Sequence, residues 1–134
     1  MQITGKFTKL DDDKFLAFGY ASVAVDEQGN VVVDSQGDTI SIEELEKAAY
    51  KFVSNWAITT VMHDIEKYGV VAELVESIVF TPEKLKILGL AKDALPQAWF
   101  VGFKVHDAET WQRIKNGELS MFSIGIRAIR EAIQ

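Results

Sequence analysis

The stretch Ala98-Trp99-Phe100-Val101-Gly102-Phe103-Lys104-Val105, followed after a short polar segment by Glu118-Leu119-Ser120-Met121-Phe122-Ser123-Ile124-Gly125-Ile126, decides how the chain reads. Both runs are dense in aromatic and β-branched residues, the composition of strands on a pleated, half-buried surface. Between them Asp107 reads as a helix cap, Trp111 and Ile114 share one helical face, and Asn116-Gly117 closes the turn. The last third is therefore strand, helix, strand. Its second strand carries Ser123 between bulky neighbours, where a surface hydroxyl is out of place. Upstream, the apolar run Ala57-Ile58-Thr59-Thr60-Val61-Met62 ends in His63, one of two histidines. Whether His63 and Ser123 meet is the functional question.

Working outward, residues 2–9 read as a strand and Asp11-Asp12-Asp13-Lys14 as a turn. A calcium loop would need alternating oxygen ligands, a glycine bend and a distal glutamate, so this turn reads as a solvated loop. Phe15–Val25 has strand composition, Asp26–Asn30 is a hairpin-type loop, Val31–Val33 returns as a strand, and Asp34–Asp38 turns again. Ser41 with Glu44 fits a capping box, and Ile42, Leu45, Ala49, Phe52, Val53 and Trp56 recur at helical spacing over about 14 residues. Residues 57–63 and 70–80 read as strands. Thr81-Pro82-Glu83 starts a short helix that stops near Gly89, and Leu119–Ala128 is the final strand. The order β-β-β-α-β-β-α-β-α-β makes a β-rich α+β domain.

At 134 residues the chain has room for one core, so residues 1–134 read as a single domain. The net charge is −6 and the acidic residues are dispersed, with no basic stripe. Nucleic acid is thereby disfavoured as a partner, since phosphate binding needs clustered Lys and Arg. With no cysteine, a thiol nucleophile, a zinc–thiolate site and a disulfide framework are all excluded. No run approaches the roughly 20 apolar residues of a membrane span, and the N-terminus lacks a charged-then-apolar signal pattern, so the expectation is a cytoplasmic protein with no membrane partner.

A hydroxyl nucleophile needs a base within hydrogen-bond reach, a group that orients the base, and donors for the oxyanion. His63 is the better base, closing an apolar strand before a polar loop. His106 also ends a strand, beside the cap Asp107. Ser123 is the better nucleophile, with Gly125 beyond it allowing close backbone approach, and Ser77 is its rival. Phe-Ser-Ile-Gly is not the Gly-x-Ser-x-Gly elbow of the α/β-hydrolases. Glu73 and Glu76, read as one regular strand, fall on opposite faces and form no glycosidase pair. His63 with Asp64 or Glu66 could begin a metal site, but two histidines spread over the chain complete no ligand set, so no metal and no cofactor is expected. The plain alternative is a structural histidine at a strand end and a serine bonded to backbone.

Four stretches, in order, resemble the XkdF-like phage serine proteases, relatives of tailed-phage prohead maturation proteases. Val33-Asp34-Ser35-Gln36-Gly37-Asp38 with Ile42–Ala49 is similar to the family's Asp-x-Gln-Gly-Asp turn and helix. Met62-His63-Asp64 with Val71–Ser77 resembles its histidine strand and the Val-Glu-Ser strand after it. Trp99–Val105 with Asp107 and Trp111 resembles its strand and capped helix. Asn116–Gly125 resembles its Gly-Glu-Leu-x-Gly-Phe-Ser-Ile-Gly signature. The resemblance is strongest over 19–125.

The resemblance implies a partly open antiparallel or mixed β-barrel with a few short helices, like herpesvirus assemblin and the prohead proteases. It implies Ser123 as nucleophile and His63 as general base of an endopeptidase. Its partners would be phage scaffold and major capsid proteins, inside the assembling prohead in the host cytoplasm. A homodimer is in keeping with the dimeric herpesvirus relatives and with exposed strand edges. Two departures stand out. Met121 replaces the small residue before Phe122-Ser123. Related proteases also take their third catalytic member from a strand after the serine, and residues 126–134 hold no such strand. Either the sequence stops short of it, or Asp64, Glu76, Glu131 or a water takes the role. The remaining alternative is a catalytically inactive protease-fold domain, structural or scaffold-associated, in capsid assembly.

Overall fold

A computed structural model describes residues 3–34, 37–56, 72–118 and 121–124. Five strands and three helices follow in order: β1 (Ile3–Asp11), β2 (Leu16–Val25), α1 (Ile42–Trp56), β3 (Ala72–Val79), α2 (Pro82–Ile87), β4 (Gln97–Val105), α3 (Ala108–Lys115) and β5 (Met121–Ile124). The class is α+β. The strands form one sheet in the order β3-β4-β2-β1-β5, and every pairing is antiparallel. Among the described residues the sheet does not close, and β3 and β5 are its two edges.

Helix α1 covers one face of the sheet. Ser41 accepts from the Glu44 amide at 3.1 Å, satisfying one orphan donor of the first turn. Ile42, Leu45, Ala49 and Phe52 are buried, against Ala17, Ala21 and Ala24 of β2 and Trp99, Val101, Phe103 and Val105 of β4. The small side chains of β2 let the helix come close, and the large ones of β4 fill the remaining space. Phe52 meets Trp99 edge-on at 5.5 Å. Val53, expected on the apolar stripe, is 41% exposed. It lies one step round the helix from Phe52, so the stripe is narrower than the sequence suggests.

The opposite face carries a half-buried aromatic group. Phe100 stacks on Phe18 at 6.1 Å and meets Tyr20 edge-on at 5.4 Å, with Phe80 tilted beside it at 6.2 Å. Phe18, Gly102 and Glu76 lie in one cross-strand row. A Cβ at Gly102 would stand 2.8 Å from the Phe18 ring and 2.9 Å from the Glu76 Cβ. Gly102→Ala is therefore expected to destabilise the domain by about 1–3 kcal/mol, through displacement of an aromatic ring in a packed row. Denaturant unfolding checks this, and an unchanged midpoint would mean that Phe18 does not lie over residue 102.

Three expectations are corrected. Val31–Val33 is not a strand: only Val31 forms an isolated bridge, to Val25. The Asp26 carboxylate accepts from the Gln28 and Asn30 amides at 3.0 and 2.9 Å, closing the loop on itself, and Val31 and Val33 are 63% and 58% exposed, so no burial rewards further pairing. Phe15 belongs to the β1–β2 turn rather than to β2, and adopts φ 55°. Finally, a register shift between Leu74 and Glu76 leaves Val75 as an extra residue. Glu73 pairs with Lys104 and Glu76 with Gly102, two residues apart on β4, so the bulge places both glutamates on the same face. The expected strand at 57–63 and the end of the expected final strand lie outside the described residues.

Candidate active site

Ser123 lies on β5, in register with Thr4 of β1, while Phe122 and Met121 face Gly5 and Lys6. The nucleophile candidate is thus carried on a strand held by backbone pairing, and strands fix a side chain more closely than loops do. Helix α3 delivers the chain to this point. Asp107 caps it, accepting from the Thr110 amide at 2.9 Å and its hydroxyl at 2.6 Å, and those two bonds hold the Asp107 carboxyl below its usual range. Gly117, at φ 81°, ends it with the Glu118 amide donating back to the Arg113 carbonyl at 2.9 Å.

His63, Asp64 and Glu131 lie outside the described residues. Glu76 is exposed on β3, at the sheet edge remote from β5, and has no hydrogen-bond or ion-pair partner among the described residues. Four strand spacings separate those edges, about 19 Å if the sheet were flat. His106 follows β4, exposed, with Nε2 2.9 Å from a Glu73 carboxylate oxygen. Its imidazole is engaged with β3.

Ser77, the rival nucleophile, has a different task. Its Oγ accepts from the indole N–H of Trp99 at 2.9 Å, and Trp99 is fully buried. Ser77 opens onto a groove of about 670 Å³ between α1 and β3, lined also by Tyr50, Val53, Ser54, Val75 and Lys84. The lysine is no base for it: Lys84 Nζ donates to Glu46 at 2.8 Å and to the Val79 carbonyl at 2.9 Å. Burial pulls the Lys84 pKa down, but its bond to Glu46 and its contact with Tyr50 outweigh that and hold it above the ordinary lysine value. The same bond from Lys84, with a second from Tyr50, keeps Glu46 below the usual carboxylate range. The pair is charged throughout neutral pH. Ser77→Ala is expected to cost about 1–3 kcal/mol of stability, the penalty of an orphaned buried donor, and to leave any peptidase activity intact. Thermal unfolding and a cleavage assay separate the two effects.

The Asp11–Asp13 turn is more than a solvated loop. Asp12 accepts from the Trp111 indole at 2.6 Å and from Lys115 at 3.0 Å. The indole bond, then Lys115, hold the Asp12 carboxyl below its ordinary value. An aspartate in a run of three offers no sequence signal for this, because its partners lie about a hundred residues on. Among the described residues no three His, Asp or Glu side chains gather as a metal site.

The family model described as "Putative phage serine protease XkdF" matches residues 4–132. The chain belongs to that family. The matched span takes in all four motif stretches, with His63 in the second and Ser123 in the fourth. The uncharacterised protein YqbD of Bacillus subtilis (strain 168) is 33% identical over 92 residues, 69% of this chain. That alignment covers 27% of YqbD, so the chain spans about a quarter of its relative's length. No solved structure matches. Family membership marks the chain as a phage protein of a serine protease group. No described helix is long and apolar enough to cross a membrane.

Proposed function

We propose that this XkdF family member is a serine endopeptidase domain of phage prohead maturation, with Ser123 as nucleophile and His63 as general base. The observation that carries the reading is the family match over 4–132, with Ser123 inside it on a paired strand. Ser123 Oγ attacks the scissile carbonyl while its proton passes to His63. The proton then goes to the leaving amine as the peptide C–N bond breaks, and water, activated by the same imidazole, hydrolyses the acyl ester. The substrates in this reading are scaffold and major capsid proteins within the assembling head, and the domain works as a homodimer.

The reading includes a barrel. Closure of the sheet, which the family resemblance implies, would bring His63 to Ser123. The test is cleavage of cognate scaffold by the parent, Ser123→Ala and His63→Ala proteins, with a fluorophosphonate probe to report the serine. Loss of cleavage in both variants and labelling at Ser123 are expected. Equal cleavage by all three proteins rejects the residue assignment. Absence of both cleavage and labelling in the parent selects the inactive assembly domain, the reading that Met121 within the signature favours.

A further inference from the structure

We propose that Asp12 is a positioning residue for the nucleophile strand: it fixes the register of β5 on β1, and with it the placement of Ser123. The functional half of this inference rests on the reading of Ser123 as nucleophile. The half concerning register does not.

The two carboxylate oxygens of Asp12 are divided between two residues of α3. Oδ1 accepts from the Trp111 indole at 2.6 Å and Oδ2 from Lys115 Nζ at 3.0 Å. Trp111 is buried and stacks on Phe15 at 5.1 Å with the rings 12° from parallel, and Phe15 holds φ 55° to do so. From the other strand, Lys104 donates to the Lys14 carbonyl and sits over the Phe15 ring at 5.8 Å. The β1–β2 turn is thus fastened to α3 at several points, and Asp12 supplies both polar ones to the helix.

That fastening closes a ring of chain. From Asp12 back along β1 to Lys6 is six residues, and from Lys115 forward to Met121 is also six. Lys6 and Met121 are cross-strand partners. Six residues of extended strand cover about 20 Å, and six residues on the other arm reach at most about 22 Å. The second arm spends its first three residues on the turn that ends α3. Little slack remains beyond the reach of the Lys115 side chain. Sliding β5 two residues further along β1 toward Ile3 would ask for about 7 Å more, and a slip of one residue would turn Ser123 to the other face. The fastening at Asp12 opposes that slip toward Ile3.

The experiment compares Asp12→Ala, Asp12→Asn and Asp12→Glu with the parent chain. It reads the fluorophosphonate labelling rate at Ser123, the amide exchange of residues 121–124, and kcat and KM for a scaffold peptide. Because a misplacement of about 1 Å can cost 10²-fold, Asp12→Ala is expected to slow labelling about 10- to 100-fold and to lower kcat more than KM changes. Amide protection across β5 falls with it, while that of β2 and β4 stays. Asp12→Asn, which still accepts from the indole, loses less, and Asp12→Glu recovers part of the rate. If the parent labels and Asp12→Ala labels equally fast with β5 equally protected, the positioning role is wrong. If the parent itself does not label, the peptidase reading fails, while loss of β5 protection in Asp12→Ala would still uphold the register half.

Discussion

Ser123→Ala is expected to reduce scaffold cleavage by a factor on the order of 10⁶, and His63→Ala by a similar factor, because nucleophile and base act as one unit. The double variant should then be no slower than either single one. Independent contributions would multiply, whereas removing a second member of an already broken unit costs almost nothing more. Cleavage of scaffold peptide by the four proteins checks this, and a double variant far slower than both singles would mean that the residues do not act together. The third member is to be sought among Asp64, Glu76 and Glu131. An orienting acid is worth about 10⁴ rather than 10⁶, since without it the imidazole still takes the proton but from a less favourable tautomer and angle. Glu76 occupies the strand at the far edge from β5. A measurable loss in Glu76→Gln would therefore speak for the two edges having come together, and would support the closed barrel as well as the role.

How far the sequence carried follows from the range of each interaction. Caps and turns are local, so Ser41, Thr81 and Asp107 could be read directly, and each accepts from the amide three residues on. The strands at 16–25, 72–79 and 97–105 stood out because their residues are small, aromatic and β-branched. What failed depended on partners far along the chain. Val31–Val33 has strand composition, but Val31 and Val33 are exposed and only Val32 is half-buried. Phe15 looks like the first residue of a strand, yet its ring is claimed by Trp111, and the backbone bends to deliver it. The bulge at Val75, which reverses the relation of Glu73 to Glu76, is set by the register of β4, and the imperfect alternation at Leu74-Val75 is its one local mark. Ser77 was ambiguous for the same reason: its partner, Trp99, is 22 residues away. Among the candidates for the site, Ser123 is proposed from its sequence neighbours, whereas the contacts of Asp12 leave no local signal.

Phe52→Ala is expected to lower the unfolding free energy by about 3–5 kcal/mol, a large share of the usual 5–15. Phe52 is fully buried, and its ring fills the space between α1 and Trp99. The alanine variant leaves a void that neither side can easily collapse into, because Trp99 is pinned through its indole N–H to Ser77 and the facing β2 positions are already alanines. The transfer and cavity costs therefore both apply. Val53→Ala is the matched control, one residue further along the same helix. Val53 is 41% exposed at the groove, so its truncation should cost under about 1 kcal/mol. Denaturant unfolding of the two variants thus measures which way α1 faces. A large loss at Phe52 with a small one at Val53 fits a helix lying across β2, β4 and β3 on a narrow stripe. Comparable losses would mean that the helix is rolled, and the groove beside β3 would then be core. Because α1 holds the three strands at the β3 end of the sheet in place and β1 and α3 hold β5 at the other, the two ends can be weakened separately. Phe52→Ala at a temperature where the fold persists should loosen β3 without changing the exchange of residues 121–124, the reverse of what removal of the Asp12 carboxylate does.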